Sequence, residues 1–139
     1  MSVREENLAV LQGYFDAMAS GGPAAAMPFY AESVVLTVPG GHPASGVYEG
    51  HEGVAAFGGT MARLTDRSFR LTPVDLLASD DHVVTVATAS ATVAGRTLEW
   101  QRVIVSEVEE GALSRLQFFE SDQAGVDALL NGAPPEGAS

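Results

Sequence analysis

Residues 83–120 read VVTVATASATVAGRTLEWQRVIVSEVEEGALSRLQFFE. Three β-rich runs fill this span, interrupted only at Gly95-Arg96 and at the acidic turn Glu109-Glu110-Gly111. Long strands joined by tight turns predict an antiparallel meander. Side chains alternate along a strand, so each face is assigned as a set. With Ile104 pointing inward, Trp100, Arg102 and Ser106 point inward too, and Leu116, Phe118 and Glu120 share one face of the next strand. A slip of one residue inverts both sets.

Upstream, RSFRLTPVDLLA (67–78) adds a strand that reaches the meander through the turn SDDH (79–82). Residues 33–39 predict another strand and GVYEG (46–50) a short one, with PGGHPAS (39–45) as the loop between them. A first helix is expected over 2–20, where Leu8, Leu11, Phe15 and Met18 recur at helical spacing. Ser2 and Glu5 form its capping box. Gly21 and Gly22 should end it, and Pro23 suits the start of a second helix over 23–31, which Pro28 disturbs. A third helix is expected from His51 to Leu64, with Val54, Phe57 and Met61 on one face. A short helix over 122–130, capped by Ser121, closes the order.

Helices gathered at one end and strands at the other give an α+β fold: a strongly curved, mainly antiparallel sheet around three N-terminal helices, plus the short C-terminal helix. Such a sheet leaves a blind, conical pocket as the expected ligand site. One domain over 1–131 is expected, with 132–139 as a mobile tail.

The chain has 139 residues, 46% of them apolar and 18% charged, ordinary for a single globular domain. It holds no cysteine, which excludes thiol nucleophiles, disulfides and thiolate metal sites. It holds no lysine, which excludes Schiff-base catalysis and a Walker-type phosphate loop. A formal net charge of −11 repels nucleic acids and anionic membranes. No apolar run spans a bilayer and the first residues lack a secretion pattern, so a cytoplasmic protein is expected.

The stretches FYAESVVLTVPGGHPASGVYEGHEGVAAF (29–57), LLASDDHVVTVATASA (76–91) and VSEVEEGALSRLQFFESDQAGVDALL (105–130), with the first helix, cover nearly the whole chain. In these stretches the chain resembles the SnoaL-like (polyketide cyclase-like) branch of the nuclear-transport-factor-2-like superfamily, which also holds ketosteroid isomerase and limonene epoxide hydrolase. The resemblance implies a cone-shaped fold, a homodimer through the open sheet face, and a small hydrophobic substrate such as a polyketide intermediate. It implies no metal or organic cofactor.

Carried over residue by residue, the resemblance keeps little of the familiar chemistry. Tyr14 falls at the tyrosine that polarises the substrate carbonyl in ketosteroid isomerase. The base position falls on Val38 and the acid position near Ile104, and neither can ionise. The Asp–Arg–Asp arrangement of limonene epoxide hydrolase finds Phe118 at an aspartate position and no second Asp–Arg pair.

The residues themselves nominate Tyr14, His42 and Arg102 as catalytic groups. Leu36, Val38, Met61 and Trp100, with Ile104, Leu116, Phe118 and Glu120, are the expected substrate-binding wall. His42 is suited to proton transfer near neutral pH, and competes with the plainer reading of a turn histidine. Tyr14 competes with a core tyrosine. Arg102, if buried, needs a partner: Glu120 and a substrate oxygen both qualify, and Glu120 is the safer choice. His51 opens HEGVA, an incomplete match to HExxH with Ala55 in the second histidine's place. His82 is a surface turn residue.

These readings converge on a cyclase acting by confinement of a polyketide-like chain and hydrogen-bond polarisation of a carbonyl. A non-catalytic carrier of an apolar ligand fits the same wall. An isomerase or hydrolase with a rearranged pair would need Glu120 or Asp16 as an interior acid or base.

Overall fold

The computed structural model describes residues 1–132. The tail expected to be mobile therefore lies, beyond Gly132, outside the described residues.

Helix α1 runs Val3–Ala26 and starts on the expected capping box: Ser2 Oγ accepts from the Glu5 amide at 3.1 Å. It is two helices joined at a kink, as the sequence predicts: Gly22 leaves helical geometry at a φ of 74°, and Pro23 opens the second helix. Pro28 has no amide hydrogen for a further α-helical bond, and the chain tightens into a 3₁₀ turn over Met27–Phe29. The expected second helix thus ends at Ala26, and strand β1 (Tyr30–Val38) begins three residues before residue 33. β2 (Gly46–Glu49) leads into α2 (Gly50–Thr65). The meander follows as β3 (Arg70–Ala78), β4 (His82–Val93), β5 (Arg96–Glu109) and β6 (Ala112–Glu120). Helix α3 (Gln123–Asn131) closes the described chain. Its cap is Asp122, whose carboxylate accepts from the Gly125 amide, because Ser121 is taken: the Ser121 hydroxyl accepts from the Gln101 amide at 2.9 Å.

The six strands form one sheet in the order β2-β1-β6-β5-β4-β3. Only β1 with β6 is parallel. α2 carries the chain from edge strand β2 to the opposite edge strand β3, and the meander returns it until β6 lies beside β1. The register is the one the alternation predicts. Ile104 faces Phe118 and Arg102 faces Glu120 across β5 and β6, and all four side chains lie on the concave side.

Two apolar clusters fill that side. The first joins Leu11 of α1 to Val34, Leu36 and Val38 of β1, and to Ile104, Leu113, Leu116 and Phe118. The second gathers Met61 and Leu64 of α2, Trp100 of β5, and Val126, Leu129 and Leu130 of α3. On β4 this end is lined with alanine: Ala87 lies opposite Arg102 and Ala89 opposite Trp100. Small residues beside large ones let the arginine and indole lie flat on the neighbouring strand. Asn7, the buried polar residue of α1, donates to the carbonyls of Ser79 and Asp80 at 3.1 Å each and so fastens α1 to the β3–β4 turn.

Leu113 is fully buried in the first cluster. Leu113→Ala should cost about 2–5 kcal/mol, measured by urea unfolding. Leu77→Ser on the half-exposed outer side should stay within about 0.5 kcal/mol of the parent.

Candidate functional site

Three polar constellations interrupt the apolar interior. The first is an ion pair between strands. Arg102 Nε donates to Glu120 Oε1 at 2.7 Å and Nη2 to Oε2 at 3.0 Å, with both side chains 5% exposed or less. Trp100 Nε1 adds a third bond to Oε2 at 3.0 Å. The pair is intramolecular because the two residues lie directly opposite one another in the β5–β6 register. Around the guanidinium stand the rings of Phe118 at 4.2 Å, Phe69 at 5.2 Å and Trp100 at 6.0 Å. A carboxylate holding three donors is fixed as an acceptor and is not a free acid or base.

The second constellation is a pair of phenols. Tyr14 Oη and Tyr30 Oη lie 2.8 Å apart, and their rings meet edge to face at 5.3 Å. Burial raises the pKa of Tyr14, and the hydrogen bond from Tyr30 only partly offsets it. Burial raises Tyr30 further, reinforced by the charge and hydrogen bond of Tyr14. Both phenols stay protonated across the physiological range. Tyr30 was not among the residues the sequence nominates, since nothing in its spacing marks it. It is positioned by His51, whose Nε2 lies 2.9 Å from the Tyr30 carbonyl oxygen. The HExxH-like histidine is therefore a bracket between α2 and β1.

The third is His42. Its ring is buried, and Nδ1 accepts from the Ala44 amide at 3.1 Å. The neutral ring therefore carries its proton on Nε2. Burial lowers its pKa; the Asp127 and Glu120 carboxylates oppose this, and Arg102 acts with burial. Its loop is clasped by α3. Asn131 donates to the Gly41 carbonyl at 2.8 Å and Gln123 to that of Pro39 at 3.5 Å. Gly40 has a φ of 109°, and a Cβ there would strike Gln123 and Asp127.

Of the nominated residues, Leu36, Val38, Ile104, Leu116 and Phe118 come together in the first cluster with Tyr14 packed against it. Trp100 and Met61 belong to the second. Arg102 stands between the clusters, stacked on Phe118 of one and facing Trp100 of the other. The side chains expected to line an open cone are packed on one another. Two clefts open elsewhere: one of about 270 Å³ on the outer face of β1, β6 and β5, the other at Glu32, Glu109 and Glu110. Neither reaches Tyr14, His42 or Arg102. Asp16 is exposed on α1. Among the described residues no three His, Asp or Glu side chains group as metal ligands, and no helix is long and apolar enough to cross a membrane.

His42 makes stability pH-dependent with a defined sign. The unfolded ring titrates near its ordinary value and the folded ring below it, so the unfolded state takes up the proton first on acidification. The stabilisation is complete above about pH 6.5 and is lost as pH falls through the folded value. Urea midpoints should therefore drop more steeply in the parent than in His42→Gln between about pH 7.5 and 5.5. Parallel profiles would mean that the ring does not titrate differently in the two states.

Residues 11–116 match the family model of the SnoaL-like domain. An uncharacterised protein of Mycobacterium tuberculosis (strain ATCC 25618 / H37Rv) is 30% identical over 126 residues, which cover 90% of this chain and 96% of the relative. Bal32a, from a soil-derived mobile gene cassette, superposes with a TM-score of 0.85 at 22% identity, covering 93% of this chain and 99% of that one. A candidate SnoaL-like polyketide cyclase of Jannaschia sp. CCS1 superposes at 0.74 with 16% identity and 97% of each chain covered. A cone of curled sheet around α1 and α2, matched over most of its length by sequence and nearly all of it by shape, places the chain in the SnoaL-like domain family.

Proposed function

We propose that the protein is a cytoplasmic small-molecule enzyme, a cyclase that folds an uncharged polyketide-like chain against the concave face and polarises one carbonyl with the Tyr14–Tyr30 pair. The observation that carries this reading is that pair: two partly buried phenols held in the protonated state beside an apolar cluster. One phenol donates to the other, leaving one hydroxyl hydrogen for a substrate oxygen. As the enol carbon of the 1,3-dicarbonyl chain attacks that carbonyl, its C=O π bond becomes a C–O single bond and the enol O–H proton passes to the new alkoxide oxygen. Both hydrogen bonds strengthen on the developing charge without either phenol ionising. Val38 and Ile104 at the positions of the isomerase base and acid leave confinement and polarisation as the chemistry available. Arg102 and Glu120 satisfy each other, and that observation favours the second reading, a carrier that holds its ligand by shape alone.

Tyr14→Phe separates the two. With a linear tetraketide N-acetylcysteamine thioester as substrate, loss of the donor should slow appearance of cyclised product by about 100-fold, with the fold intact by circular dichroism. A parent protein that binds the thioester and returns it uncyclised, or a variant as fast as the parent, supports the carrier.

The proposal includes a homodimer through the outer sheet face, where Phe119 is half-exposed beside Val35 and Val105. Phe119→Arg should convert a dimer to a monomer in sedimentation analysis; an unchanged mass would put the contact elsewhere.

A further inference from the structure

Residues 39–45 join β1 to β2 outside the ladder, whose last pair is Val38 with Gly46. Pro39 and Pro43 have no N–H, so the loop has few ways to hold itself. His42 does most of the holding. Its Nδ1 accepts from the Ala44 amide at 3.1 Å, and its carbonyl accepts from the Ser45 amide at 3.0 Å and the Ser45 hydroxyl at 2.6 Å. The other side of the ring bonds the Pro39 backbone, where the carbonyl is the only polar group. The neutral ring thus spans its own loop, accepting a hydrogen at one end and donating one at the other. Ala44 is fully buried in the second cluster, beside Val126, Leu129 and Leu130 of α3. From the same helix Asn131 donates to the Gly41 carbonyl and Gln123 to that of Pro39.

A proton on Nδ1 turns the acceptor into a donor, and two N–H groups then face each other across 3.1 Å. We propose that loop 39–45 and α3 form a proton-released latch: a proton on His42 detaches Ala44 from the second cluster, the Gly41 and Pro39 carbonyls leave Asn131 and Gln123, and α3 lifts from Trp100. Three charged groups face the ring: Asp127 on α3, Glu120 on β6 and Arg102 on β5. Glu120 is paired with Arg102, and the two act on the ring with opposite sign. That leaves Asp127 as the net attraction for a proton, and burial outweighs it. The closed latch therefore takes up the proton less readily than the open one, and acid opens it. The device goes beyond the proposed function and does not rest on it, since every group in it is held by contacts within the chain.

Hydrogen exchange of the full chain, read by mass spectrometry at about pH 7.5 and 5.5, tests the latch. Protection factors remove the intrinsic pH dependence of amide exchange. Peptides covering 39–45 and 123–131 should lose protection severalfold at the lower pH, up to the ceiling of about tenfold that an ordinary histidine pKa near 6.5 allows. The β5–β6 ladder should keep its protection. In His42→Asn the carboxamide oxygen accepts from the Ala44 amide two residues on, as in an Asx turn, and it does not titrate. Both segments of that variant should stay equally protected at the two pH values. Asp127→Asn tests the sign independently: it keeps an oxygen for Gln123 and removes the charge that attracts the proton. The closed ring then takes the proton even less readily, so acid should remove more protection from this variant than from the parent.

The latch is overturned if both segments keep their protection at the lower pH, or if His42→Asn loses it as the parent does. Loss spread evenly into the β5–β6 ladder would place the titration in global unfolding, which overturns the latch and leaves the stability effect of His42 standing. Where His42→Asn does not fold, Asp127→Asn decides: acid opening no greater than the parent's would sink the device.

Discussion

The Arg102–Glu120 bond across β5 and β6 is the contact on which the interior is organised. Both charges lie out of water, so a strand register that separated them would leave two unpaired ions in a medium that solvates them poorly. A slip of one residue turns the apolar set outward, whereas a slip of two keeps the faces and lets valine or isoleucine pack almost as well. A bidentate ion pair tolerates neither. It fixes the pairing of Ile104 with Phe118 across β5 and β6, and with it the first cluster. Its net contribution to stability over an apolar substitute is small or unfavourable. Its value here is in selecting one arrangement.

The same pair divides the concave side into two environments. Toward α1 lie the phenols, partnered with each other and shifted upward chiefly by burial. Toward α3 lies His42, in the field of two carboxylates and an arginine yet still shifted down by burial. The groups at the two ends would answer to different conditions: the phenols are insensitive to pH in the working range, whereas the histidine is not. The α3 helix connects to this asymmetry physically. It covers Trp100 with Val126, Leu129 and Leu130, and its polar side holds the carbonyls of the His42 loop.

Most of the fold was legible in the sequence, since alternation over thirty-eight residues of meander leaves little freedom for the face assignment. Ser2 and Glu5 marked the start of α1 for the same local reason that they form its cap. The misread boundaries are those where several residues compete for one local role. Ser121 and Asp122 both suit a cap, and only the tertiary bond to Gln101 decides between them. Pro28 signalled a disturbed helix end but not that a 3₁₀ turn would already begin at Met27. The site was less legible. That Arg102 would take Glu120 as partner follows from the register, but Tyr30 and His51 act through contacts between elements distant in sequence. No periodicity encodes a phenol 2.8 Å from another, or a histidine reaching a carbonyl.

The absence of ionisable groups at Val38 and Ile104 then has a consequence for what this interior can select. A site that moves protons with a carboxylate must spend interactions on holding that carboxylate at a useful pKa. Here the Glu120 carboxylate is tied to Arg102 and Trp100, and the Tyr14–Tyr30 pair and the His42 ring are neutral hydrogen-bond donors. Such donors discriminate by position, because each is worth most when an oxygen arrives along a fixed direction and little otherwise. Under the proposed function, selectivity would come from where a ligand oxygen meets the Tyr14–Tyr30 pair.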